Sequence, residues 1–186
     1  MADFVHLTNK TEYSLSEGAL PIARIAELCQ SFSMPAVGIS DNNNMFGALE
    51  FSEQIAKVGV QPILGCNIKI KTPKEYLHEN IEDNDLYFYL NIFSKNNEGY
   101  ENLLKCVSNA YTFNKGNAYV TVDDLIKFKD GLIILSGGNN SILTHSTGHM
   151  ITKQSQQFIS DFKKEFNDNF YIEIQRFGSV DYRLNE

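Results

Sequence analysis

Short apolar runs and longer stretches with a helical repeat alternate along the chain almost from end to end. Phe4-Val5-His6-Leu7 reads as a first strand. Leu20, Ile22, Ile25, Ala26, Leu28, Cys29 and Phe32 then recur at helical spacing behind Pro21, which a first turn tolerates. Ala36-Val37-Gly38-Ile39 predicts a buried strand, followed by a polar loop over Ser40 to Asn44. A second helix carries Ala48, Phe51, Ile55 and Val58 on one face, with Gly59 at its end. Pro62 to Ile70 predicts a third strand, Thr72 to Asp85 a charged surface loop, and Leu86 to Phe93 a fourth strand. Asn97 is placed to cap a helix bearing Leu103, Leu104, Val107, Ala110 and Tyr111. Thr121 and Asp124 form a capping pair ahead of Leu125 and Ile126. Gly131 to Leu135 is a continuous apolar strand, Thr152 to Phe166 a helix, and Phe170 to Ile174 a closing strand.

This βαβα rhythm predicts parallel strands with helices outside them, an α/β fold. Polar residues gather just past the C-terminal ends of several strands: Thr8 to Lys10, Asp41 to Asn44, Asn67, and Gly138 to Asn140. A βα barrel puts its active site on that face, so the barrel is favoured over an open sheet. A full barrel takes ~250 residues. At 186 residues the chain is expected to be a single domain, residues 1–186, and an incomplete one.

Composition narrows the function classes. Hydrophobic residues make up 42% and charged residues 21%, ordinary for a soluble globular protein. No apolar run approaches the ~18 residues of a membrane span, and no secretory signal opens the chain. Cys29, Cys66 and Cys106 are scattered in apolar surroundings and read as reduced core residues of a cytoplasmic protein. The net charge of −7 argues against a principal DNA-gripping surface, although a local basic patch is compatible with it.

Several collinear stretches then identify a family. FVHLTNKTEYSLSEGAL is similar to a pattern FVHLHxHSxYSLLDGA, and MPAVGISD with NMFGALEF to MPAVALTDHGNMFGAVEF. VQPILGC is similar to IKPIIGCE, and NEGYENLL, DGLIILSG and FYIEIQR continue the match. The chain resembles, over essentially its whole length, the PHP (polymerase and histidinol phosphatase) domain at the N-terminus of bacterial DNA polymerase III alpha subunits. The resemblance implies a distorted βα barrel of the PHP type. In metal-binding members it also implies a cluster of His and carboxylate ligands holding two or three metal ions that activate water against a phosphoester.

Carried over position by position, that ligand set is degenerate. Its opening histidines fall on Thr8 and Lys10, while His6 lies on the strand position before that pair. Glu17 and Asp41 stay acidic. Asn42 replaces a His, Asn67 a Glu, Tyr89 a His and Phe177 a His. Lys10 puts a cation where a metal would sit. Two like unit charges ~4 Å apart repel by roughly 4 kcal/mol at an effective dielectric of ~20. Lys10 is therefore expected to pair with Asp41 or Glu17 and stand in for the metal, leaving no metal, no cofactor and no catalytic residue here.

Other candidates have plainer readings beside their chemical ones. His78, His145 and His149 fall in predicted surface segments. Ser136 to Asn140 reads as a turn more readily than as an anion-binding nest. Tyr87, Phe88 and Tyr89 suit barrel packing more readily than base stacking.

The resemblance implies a cytoplasmic module of a DNA-directed DNA polymerase, a nucleotidyltransferase acting in DNA replication. Its partners would be the rest of the polymerase III alpha chain and holoenzyme, with DNA contacted mainly by other domains. The first expectation is a metal-free scaffold that supports the polymerase core and docks a proofreading exonuclease subunit. The alternatives are a metal-dependent phosphoesterase or 3'-5' proofreading exonuclease within the domain itself, and a free-standing α/β binding protein.

Overall fold

The computed structural model describes residues 4–77, 87–113, 117–138, 141–145 and 152–175. The elements are α1 (Ile22–Ser31), β1 (Ala36–Asn42), α2 (Ala48–Lys57), β2 (Gln61–Lys71), β3 (Tyr87–Ser94), α3 (Asn97–Phe113), α4 (Val122–Lys127), β4 (Leu132–Leu135), α5 (Ile142–His145), α6 (Lys153–Phe166) and β5 (Phe170–Tyr171). Single 3-10 turns stand at Lys74–Tyr76 and Asn167–Asn169. His78, Leu86, His149 and Phe177, the turn at 139–140, the loop over 78–85 and the segment 176–186 lie outside the described residues, as does the side chain of His145.

The strands form one sheet in the order β1-β2-β3-β4-β5. Parallel pairing holds for β1 with β2 and for β4 with β5, but β3 runs antiparallel to both its neighbours. The expectation of uniformly parallel strands is corrected there. A parallel neighbour needs a crossover that carries the chain back to its starting end. Between β3 and β4, α3 leads the chain away, and Val120, bridged to Ile70, starts the return through α4. The chain thus re-enters the sheet where it left it, with Ser94 opposite Leu132.

Two apolar clusters hold helices to strands. Ile22, Ile25 and Cys29 of α1 and Phe51 and Ile55 of α2 close on Val37, Ile39 and Val60. The larger cluster sets Cys66, Ile68, Ile70, Phe88, Leu90, Ile92 and Ile134 against α3, α4 and α6. In α6, Phe158, Phe162 and Phe166 recur every fourth residue on one buried stripe, and the first two reach Phe170 edge-on or tilted. Thr152 and Ser155 form a reciprocal capping box at the start of that helix.

Several boundaries differ from the sequence expectation, and β1 runs on to Asn42 through the first residues of the expected polar loop. Phe4–Leu7 forms no assigned strand; residues 4–9 lie along β1 through Gly38 N–H to His6 O (2.7 Å) and Ser40 N–H to Asn9 O (2.8 Å). Gly38 permits this approach, because a Cβ there would lie 2.4 Å from Leu7 O. β5 stops at Tyr171, since Glu173 N–H turns to the Ser136 hydroxyl (2.9 Å) instead of a ladder. The cap of α3 is Asn96, whose side chain accepts from Gly99 N–H (2.9 Å), one residue before the expected Asn97.

Gly99 fixes how α3 meets β4. A Cβ there would stand 1.9 Å from the backbone oxygen of Gly131, in the turn that starts β4. Gly99→Ala is expected to lower unfolding free energy by roughly 1–3 kcal/mol, the scale of an overpacked contact, as a fall in the urea midpoint with unchanged m-value.

Candidate functional site

The site lies where β1 ends beside β2 and β3. Register puts Asn42 opposite Asn67, and Asn67 opposite Asn91, so three asparagines form one row across three strands. Facing residues of a ladder share a sheet face. The neighbouring row, Asp41, Cys66 and Ile92, belongs to the other face, where Cys66 and Ile92 join the core.

Asp41 organises the loop after residue 10. It is 1% exposed, and its carboxylate accepts from Thr11 N–H (2.7 Å), the Thr11 hydroxyl (2.7 Å) and the Ser14 hydroxyl (2.5 Å). Ser14 also takes the Asn42 N–H on its hydroxyl (3.1 Å), and its carbonyl accepts from Glu17 N–H and Gly18 N–H. The loop is thereby doubled back, with Ser16 at φ 68°, and Glu17 returns towards Lys10.

Lys10 and Glu17 form an ion pair through Nζ and Oε2. The Lys10 ammonium, with the Asn42 amide beside it, holds the Glu17 carboxyl below its ordinary range, against the opposing effect of burial. Tyr89 faces the same cluster: burial raises its phenol, and the Glu17 charge adds to that rise. Of the two acids available to Lys10, Glu17 is the one it meets. Among the described residues Asp41 takes no part in an ion pair and accepts from hydroxyl and backbone donors instead.

Asn67 belongs to a second network. Its amide donates to Asn91 Oδ1 (2.7 Å), and Asn91 donates to Glu173 Oε2 (2.7 Å). Glu173 Oε1 accepts from Gln175 (2.6 Å). Each carboxylate oxygen of Glu173 is thus taken by an amide. Thr8 is exposed at the edge of the site, and the His6 ring sits edge-on against Phe4 at 4.7 Å.

Thr11, Ser14, Asn91 and Glu173 were not among the expected site residues, yet they hold the site. Asn91 had one detectable signal: an amide inside the apolar run YFYLNIF must find a partner once buried. Ser40 Oγ and Asn42 Oδ1 are buried without a protein partner among the described residues.

No three His, Cys, Asp or Glu side chains among the described residues stand close enough to hold a metal ion. The donor set is an ammonium, amides, a phenol and carboxylates already engaged. Such a set does not suit a divalent cation, which needs free carboxylates or neutral imidazoles.

The architecture is a mixed α/β scaffold built on one five-stranded sheet. It superposes with TM-score 0.55 on a protein assigned as a metal-dependent phosphoesterase from Bifidobacterium adolescentis, at 11% identity over 87% of this chain and 75% of that one. An amidohydrolase from Chromobacterium violaceum, solved with sulfate and no metal, gives TM-score 0.56 at 9% identity over 89% and 75%. At such identities the likeness shows the fold.

The chain belongs to the PHP domain family, whose pattern matches residues 6–177. It is 30% identical over 180 residues to the DNA polymerase III subunit alpha of Haemophilus influenzae, covering 94% of this chain and 14% of that protein. The same subunit of Rickettsia felis is 33% identical over 176 residues, again at 94% and 14%. The chain therefore corresponds to a small part of the length of these relatives. No helix among the described residues is long and apolar enough to cross a membrane.

The two acids should differ sharply in what they contribute. Asp41→Ala strands buried donors and is expected to cost about 3 kcal/mol or more. Glu17→Ala breaks an ion pair whose acid side chain is 53% exposed and should cost under about 1 kcal/mol. Because the Glu17 carboxyl is held below its ordinary value of 4.5, its contribution is present above that pH and lost as pH falls through the folded value. Urea titrations at neutral pH on wild type, Asp41→Ala and Glu17→Ala read the first difference, and titrations at stepped acidic pH on wild type and Glu17→Gln read the second.

Proposed function

We propose that this chain is a metal-free PHP module of a bacterial replicative polymerase, contributing architecture and a docking surface for a proofreading exonuclease instead of hydrolysis. One observation carries the reading: the Lys10 ammonium pairs with Glu17 beside Asn42, so former ligand positions satisfy one another. A divalent ion entering there would have to displace the Lys10 ammonium from Glu17, and each pair of like unit charges ~4 Å apart repels by roughly 4 kcal/mol at an effective dielectric of ~20. The likeness to polymerase III alpha subunits supports placing the module in a longer DNA-directed DNA polymerase of the cytoplasm. In that setting the polymerase's own catalytic residues lie outside this chain, and other domains make most DNA contacts.

Three experiments test this. Elemental analysis of the purified chain is expected to find no zinc, manganese or iron near stoichiometry; one or more ions per chain would favour the hydrolytic alternative. Putting back histidines at 8, 10 and 42 and a glutamate at 67 (T8H, K10H, N42H, N67E) should create manganese binding measurable by calorimetry. The wild type should give none under the same conditions. A pull-down with the cognate exonuclease subunit should retain it on the wild-type chain, and failure to do so removes the docking part of the proposal.

A further inference from the structure

Beyond the asparagine row, the same sheet face continues with Lys69 opposite Tyr89 and then Lys71 opposite Tyr87. The free edge of β2 is filled here by other chain segments. Lys69 N–H donates to Asn43 Oδ1 (2.8 Å), while Val120 exchanges backbone bonds with Lys69 O and Lys71 N–H (both 2.9 Å). That strip delivers Asn117 and Tyr119 to the face. Lys69 Nζ lies 4.2 Å from the Tyr87 ring centroid and 3.0 Å from Asn117 Oδ1. Lys71 Nζ lies 5.5 Å from the Tyr119 ring, and the two tyrosine rings are 5.4 Å apart, tilted by 50°. Asn117 also donates to the Tyr87 hydroxyl (2.9 Å).

Elsewhere cations meet carboxylates, as in Lys10–Glu17, Arg24–Glu27, Lys129–Glu165 and Lys163–Asp168. Neither Lys69 nor Lys71 is in an ion pair with a described carboxylate; each sits against a tyrosine. In a chain of net charge −7, two cations with no carboxylate partner among the described residues, beside two partly exposed tyrosines, make a distinct local chemistry. Lysines can neutralise successive phosphates while rings offer faces to unstacked bases, the combination that holds single strands. A duplex hides its base faces and an acidic peptide has none, so both would use only the charge.

We infer that the Lys69–Lys71–Tyr87–Tyr119 surface binds single-stranded nucleic acid, with Lys69 and Lys71 on the backbone and the tyrosines against bases. This does not depend on whether the neighbouring site holds a metal.

The test is fluorescence anisotropy of labelled oligo(dT) and oligo(U) 12-mers with the 186-residue chain at low salt. Binding of either oligomer supports the inference, and their ratio identifies DNA or RNA as the better ligand. Half-saturation is expected at roughly 1–100 µM, with a log–log salt slope near −1.4, about −0.7 for each of two phosphates. Lys69→Gln, Lys71→Gln and Tyr119→Leu should each weaken binding about 5-fold or more. The chain has nine tyrosines and no tryptophan, so quenching of tyrosine emission reports stacking directly. Lys71 is exposed, so Lys71→Gln with an unchanged circular-dichroism spectrum decides the matter if another variant fails to fold. No anisotropy rise up to about 1 mM protein, affinity unchanged in Lys71→Gln, or equal competition by duplex DNA or poly-glutamate would overturn the inference.

Discussion

A single buried carboxylate sets the geometry of the site. Asp41 sits at the end of β1, on the face that meets the helices, and draws three donors from Thr11 and Ser14 onto itself. Hydrogen bonds to a charged acceptor contribute about 1.5–3 kcal/mol each, and losing the acceptor strands the donors. The loop is therefore held doubled back against the strand, and Glu17 can reach Lys10 only because of that fold. Had Asp41 been the partner of Lys10, as one sequence reading allowed, the ammonium would have been drawn into the core side of the sheet. It meets Glu17 at the more solvated mouth instead.

Once the loop is fixed, the side chains of the rim partner one another. Lys10 and Asn42 lie on Glu17, and Tyr89 faces the same charge. Asn67 passes through Asn91 to Glu173, whose second oxygen is taken by Gln175. Substitutions that looked unrelated along the chain are thus complementary in space: amides and an ammonium stand where ligands of a cation are expected in metal-binding relatives. A buried polar group without a partner is costly, so these amides and the ammonium find partners in one another. The isolated oxygens of Ser40 and Asn42 are the unmatched remainder.

Much of the fold was legible in the sequence because its signals are local. The helical spacing of Ile22, Ile25 and Cys29, and of Phe158, Phe162 and Phe166, follows from burying one face, and both stripes are buried. Strand direction is not local. Nothing within YFYLNIFS states that β3 runs against its neighbours, since this depends on where α3 and the return through Val120 leave the chain. The site divides the same way. The degenerate positions could be placed by motif, but Thr11, Ser14, Asn91 and Glu173 act through register and loop closure between distant segments. Phe4–Leu7 fell short of a strand because only two backbone bonds tie its segment to β1.

The most direct measurement of the central claim is anomalous scattering from crystals soaked in millimolar manganese. No peak at the mouth, with the Lys10 ammonium still on the Glu17 carboxylate, is the result predicted. A peak coordinated by Glu17 or Asp41, with Lys10 turned away, would contradict it.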